Sequence, residues 1–191
     1  MMTFFHIFTI AKFETKMLLR SWFFRIFAII AIVIIGLFDL VIYTNIGFSP
    51  WSIKAIPSTV PYANLMLLNI AQAIIAAFLA SDFLRRDTKL DTTDVFYTRP
   101  VSNGEYILGK TIGLLFVFIV LNLIILLEGL IFNLMNQDVP VVLSAYLYYF
   151  LLISLPTLVF IFGLAFLLMA IIRNQAVTFI LLLGYVVATL F

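Results

Sequence analysis

Five apolar stretches, roughly Ile26–Thr44, Tyr62–Ser81, Tyr106–Ile131, Leu143–Ile172 and Ala176–Phe191, occupy most of this chain. Each reaches or approaches the ~20 mostly apolar residues that a helix needs to cross a bilayer. Inside lipid, every backbone N–H and C=O must be satisfied within the chain, which leaves the helix as the form open to such segments. Composition agrees: 65% of residues are hydrophobic and only 10% charged, against the ~25% charged of an ordinary soluble domain. So few charges cannot cover a globule in water. The sequence predicts an all-α polytopic membrane bundle with about five spanning helices. Pro156 sits near the middle of the long fourth stretch, where a kink is expected because proline cannot donate to the helix ladder.

Loop charges orient the bundle. Lys12, Lys16, Arg20 and Arg25 precede the first span. Arg85, Arg86, Lys89 and Arg99 lie between spans two and three, with Lys110 just inside the third, and Arg173 between spans four and five. The other side carries only Lys54. This alternation places the N-terminus in the cytoplasm under the positive-inside rule. No small-residue cleavage site follows the basic start, so it does not read as a signal peptide.

Residues 3–24 differ from the spans. Thr9, Lys12, Lys16 and Arg20 recur at helical spacing and form a polar stripe, while Phe4, Phe8, Ala11, Leu18 and Trp22 fall elsewhere on the wheel. Such a helix suits the cytoplasmic interface, with its apolar side in lipid; the alternative is a cytoplasmic extension of the first span.

Half of the chain's twenty charged residues lie between Asp82 and Lys110. The opening of this segment prolongs the second helix, and Asp91 or Thr92 can cap a short helix through Val95, Phe96 and Tyr97. That helix must stop near Arg99, since a residue before proline is pushed out of the α region. Exposed aromatics bordered by charge make either a docking surface or a solvated loop whose rings dip into headgroups. Gly104 to Thr111 also matches the phosphate-binding pattern G-x-x-x-x-G-K-[ST], but that pattern needs a preceding buried strand, and Pro100 stands there instead. A better reading is an S-x-x-E capping box, Ser102 with Glu105, opening the third span. Gly109 and Gly113 then make a G-x-x-x-G step that admits a neighbouring backbone, and Lys110 is expected to extend its ammonium back to the headgroups.

Asp39 and Glu128 lie within apolar stretches, in the outer third of their spans. They either reach the outer interface or line the outward mouth of a translocation path. With no cysteine and His6 as the one histidine, no disulfide and no zinc site of the usual Cys/His type can form. No cofactor or metal is expected. No catalytic constellation is present, and a net charge of +2 gives no reason to expect nucleic acid.

The layout resembles ABC-2-type transporter permeases. The resemblance rests on the N-terminal elbow-like helix over 3–24 and on the run from Ser81 to Gly113, with Thr98, Arg99, Pro100, Val101, Ser102, Glu105, Tyr106, Leu108, Gly109, Lys110 and Gly113. It implies one permease domain over residues 1–191, with a cytoplasmic coupling loop at 82–105. Arg85, Arg86, Asp91, Asp94, Phe96, Tyr97 and Arg99 would meet a separate ATPase subunit there. It also implies a bacterial inner membrane, a homo- or heterodimer of permeases, contact with membrane lipid, and export driven by ATP that this chain does not itself hydrolyse. The family typically has six spans, so a sixth is expected beyond Phe191 or is absent. A self-contained channel or secondary transporter, or a membrane scaffold, is the alternative; broken helices near the midplane and an inverted repeat would mark the transporter version.

Overall fold

The computed structural model describes residues 2–44, 59–89, 102–135 and 140–188, and all of its regular structure there is helical. Helix α1 covers Met2–Arg20 and breaks at Ser21, and α2 follows over Trp22–Thr44. Then come α3 (Thr59–Lys89), α4 (Asn103–Met135), α5 (Leu143–Tyr149), a π-helical turn (Phe150–Ser154), α6 (Leu155–Ile172) and α7 (Gln175–Ala188).

Among the described residues, four segments are long and apolar enough to cross a membrane: Trp22–Val41, Thr59–Leu79, Asn103–Met135 and Leu143–Ile172. The fifth expected span is represented by the 14 residues of α7, short of that length. At 33 residues and a rise of 1.5 Å per residue, α4 is ~50 Å long, well beyond the ~30 Å hydrocarbon core. Its excess begins with the polar turn before Tyr106. Similarly, α3 continues past its apolar window to Lys89, so Arg85 and Arg86 fall on its last turns. Asp91, Asp94, Phe96, Tyr97 and Arg99 lie outside the described residues.

The kink expected at Pro156 takes a particular form. The Leu155 N–H donates to Phe150 O, five residues back. Proline offers no N–H and its ring crowds the carbonyl four residues earlier; one under-wound turn just before it relieves that crowding. At the α6–α7 junction, Arg173 takes a positive φ of 56°. Asn174 Oδ1 then accepts from the N–H groups of Ala176 (3.0 Å) and Val177 (3.4 Å), starting α7 with an asparagine cap.

By packing, the chain divides into two units. One comprises Met1–Leu19, Gln72–Val117 and Leu158–Phe191; the other comprises Arg20–Ala71 and Phe118–Thr157. In the first, Ala73, Ala76 and Ala77 of α3 are buried, so this small-residue face is used inside the chain. Phe78 stacks edge-on against Phe179 at 5.7 Å. In the second, Leu65, Leu126, Tyr146 and Phe150 form a core, flanked by Ile119, Leu130, Tyr149 and Leu155. Phe24 meets Phe118 edge-on there, with centroids 5.6 Å apart. Exposed side chains include Ile29, Ile30, Val33, Ile34 and Leu37 along α2, a surface suited to lipid rather than water.

Candidate functional site

Polar groups gather at two places, one in each unit. The first joins α1 to the beginning of α4. Ser102 Oγ accepts from the Glu105 N–H and Glu105 Oε2 accepts from the Ser102 N–H, both at 3.2 Å, so the capping box read from the sequence is present. Residues 104–111 lie inside α4, not in a loop. From Tyr106 onward their N–H groups serve the helix ladder and the Glu105 N–H serves the Ser102 cap, so this run is not a phosphate-cradling loop. Gly109 and Gly113 receive α1. A Cβ on Gly109 would lie 2.9 Å from Ile7 O and from Ile10 Cβ; one on Gly113 would lie 2.6 Å from Ala11 O. Thr15 Oγ1 donates to Gly113 O at 3.2 Å.

Lys110 corrects the sequence expectation. Its ammonium does not run out to headgroups. It is 4% exposed, lies 3.4 Å from Glu14 Oε1, and sits 4.5 Å over the Tyr106 ring. A buried acid within reach makes the inward rotamer preferable, because a charge in a low-dielectric setting gains far more from a partner than one in water does. Glu14 is equally buried. One turn earlier, His6 Nδ1 lies 3.5 Å from Glu105 Oε2. Helix α1 thus presents three faces: Ala11, Glu14 and Leu18 are buried; Phe4, Phe5 and Phe8 are exposed; Lys12, Lys16 and Arg20 are exposed. Ala11 and Leu18, expected to share an apolar side with Phe4, Phe8 and Trp22, pack against protein instead. The latter three are exposed.

The second cluster belongs to α2, α3, α4 and α5. Asp39 is 0% exposed, and its Oδ2 accepts a 2.8 Å hydrogen bond from Asn64 Nδ2. Gly129 of α4 makes room for that pair: an added Cβ would lie 2.6 Å from Asn64 Nδ2 and 3.6 Å from Asp39 Oδ2. Reciprocally, Gly36 of α2 faces Glu128 of α4, whose Oε1 would collide with a Cβ there. Asn133 Nδ2 donates to the Tyr146 hydroxyl at 3.0 Å. Asp39 Oδ1, Asn64 Oδ1, Glu128 Oε2 and Asn133 Oδ1 find no hydrogen-bond partner. Asp39 is therefore turned into the helices, while Glu128 is half-buried. No group of three or more His, Cys, Asp or Glu able to hold a metal occurs among the described residues.

Sequence reasoning missed Glu14, Asn64, Asn133 and Tyr146. Glu14 was overlooked between Lys12 and Lys16, although its spacing from Ala11 and Leu18 matches the buried face. Asn64 carried a signal too, as an amide near the outer end of an apolar stretch.

The family described as ABC-2 family transporter protein matches residues 8–191, nearly the whole chain. The chain belongs to the ABC-2 transporter family. It is accordingly the membrane component of an ABC transporter and a multi-pass membrane protein. No curated protein and no solved structure matches this ABC-2 chain.

Proposed function

We propose that this ABC-2 subunit is one permease domain, residues 1–191, that exports its substrate using ATP bound and hydrolysed by a separate ATPase. The single observation that carries this reading is mechanical. α3 runs on as helix to Lys89, and α4 restarts at the Ser102–Glu105 capping box. The segment between them, with Asp91, Asp94, Phe96, Tyr97 and Arg99, is thus tethered to two membrane-crossing helices, and Arg85 and Arg86 lie at its entrance. A push on that segment is delivered to both helices, as switching between inward- and outward-facing states requires.

The basic loops favour a cytoplasmic N-terminus, and the family resemblance a bacterial inner membrane, with α1 at the interface against lipid. A second copy, or a homologous permease, completes the pathway. Glu128 is the candidate pathway carboxylate with accessible surface; Asp39 stands behind it and holds Asn64.

Co-purification from mild detergent tests the coupling role. The wild-type chain is expected to bring an ATPase with it. Reversal of charge at Arg85 and Arg86, together with Phe96→Ala and Tyr97→Ala, is expected to reduce that recovery. Undiminished recovery would remove the coupling role from this segment. Single cysteines replacing Ser52, Thr93 and Gln137 test topology: an impermeant thiol reagent on intact cells should label the first and third only.

A further inference from the structure

Helix α1 meets the first part of α4 closely at Gly109 and Gly113, against the Ile7 and Ala11 carbonyls and the Ile10 and Glu14 Cβ atoms. Backbone atoms of Ile7 and Ala11 approach Gly109 and Gly113 as closely as a glycine permits. Thr15 bonds to the Gly113 carbonyl, Glu14 and Lys110 pair while buried, and His6 lies beside Glu105 at the helix start. These contacts resist different displacements. Sliding α1 along α4 would drive side chains onto the glycine surface and separate two buried charges in a low-dielectric setting, where their attraction is strong. Lifting α1 away would break the contact between two buried opposite charges, which is costly in a low-dielectric setting.

We infer that α1 and the Asn103–Val117 part of α4 move as one rigid lever, with Glu14 and Lys110 as positioning residues that fix its register. The inference rests on the reading that an ATPase displaces the segment before Ser102; it adds that the displacement carries the N-terminal helix with it. An elbow merely lying in lipid would instead slip past α4 as the transporter turns over.

The chain has no cysteine, so Ile10→Cys with Gly109→Cys puts a single thiol pair across the joint. The two Cβ positions lie 2.9 Å apart, with the Ile7 carbonyl equally near, so the pair must open by at least ~0.6 Å to reach the ~3.5–4.5 Å of a disulfide. In vesicles holding permease and ATPase, the rate of copper-phenanthroline oxidation would be compared without nucleotide and with ATP plus vanadate. The lever predicts equal rates in both states and vanadate-sensitive ATP hydrolysis by the complex that survives oxidation. A severalfold drop in rate under ATP and vanadate, or hydrolysis that stops on oxidation and returns on reduction, overturns it.

A second series guards against a variant that packs badly. Glu14→Lys and Lys110→Glu singly should lose the permease-dependent, vanadate-sensitive ATP hydrolysis while keeping the ATPase on purification, and the double reversal should recover it. No recovery in the double, with the ATPase still bound, also counts against the lever. Absence of an ATPase from the wild-type preparation would overturn the functional reading instead, and thiol oxidation in the permease alone would still report whether α1 and α4 are clamped.

Discussion

Two regions of this protein set a glycine on one helix against a polar group on another, and they resolve the arrangement in opposite ways. At Gly109 and Gly113 the approaching atoms are the Ile7 and Ala11 carbonyls with the first side-chain carbons of Ile10 and Glu14, and the nearby charges have opposite sign, Glu14 with Lys110. At Gly36 and Gly129 the approaching atoms are side-chain tips, and the nearby charges are two acids, Glu128 and Asp39, with the Asn64 amide between helices. The first region is electrically closed. The second leaves acceptor oxygens without partners. Close backbone contact with paired charge suits transmission of force, because the contact has no alternative of similar energy. Side-chain tips with spare acceptors can rearrange at small cost, which suits a region that must open or accept a passing group.

The contrast is sharpest if the ion pair is cut. Lys110→Met should take away the cation paired with the buried Glu14 carboxylate and lower stability by up to ~3–5 kcal/mol, read by thermal unfolding in detergent. Glu14→Met combined with Lys110→Met should recover most of that loss, since two apolar side chains bury comfortably where two charges did. A double variant as unstable as the single would mean that packing, not charge, dominates the joint. Next in size is Gly113→Ala, where the new methyl meets the Ala11 carbonyl. Backbone cannot step aside, so a cost of ~1–3 kcal/mol is expected.

Cutting the second region should do less. Asn64→Ala strands one Asp39 oxygen, at ~1–2 kcal/mol, and if Glu128 and Asp39 serve the pathway, export should fall by more than stability does. Export that merely tracks the melting temperature would reduce the cluster to a structural clasp. Ser102→Ala removes the cap of α4, for ~1 kcal/mol. Smallest of all should be Gly36→Ala, below ~1 kcal/mol, because the obstructing atom is the far end of a flexible Glu128 side chain. A loss equal to that of Gly113→Ala would erase the distinction between the two regions.

Much of the architecture was legible because hydropathy reports directly on transfer from water to lipid. Four of the five spans, a separate N-terminal helix (read as 3–24, with its break now at Ser21), the Ser102–Glu105 box and the glycine step could be read from local spacing. What could not be read is which face of an apolar helix meets protein and which meets lipid, since both environments select the same residues. Lys110 shows the consequence: its position near a helix end favours a path to water, and only the arrival of Glu14, 96 residues earlier in the chain, turns it inward. Asp39 was ambiguous for the same reason. Its depth was legible, but the partner on α3 that draws it inward was not. Phe96 and Tyr97 remain where the sequence left them, outside the described residues.

The π-helical turn at Phe150–Ser154 has a geometric effect that reaches beyond Pro156. Tyr146, Phe150 and Ser154 are all buried at intervals of four residues. In a uniform α-helix, residues four apart drift by ~40° per step, so the third would be rotated about 80° from the first, toward lipid. A turn that winds more slowly cancels the drift and keeps the three in phase, working like a vernier between the helix period and the spacing of the core. Deleting one residue from this turn would leave the three at i, i+4 and i+7 of an ordinary helix, within ~60° of one another, so the turn takes up one extra residue without moving the buried stripe.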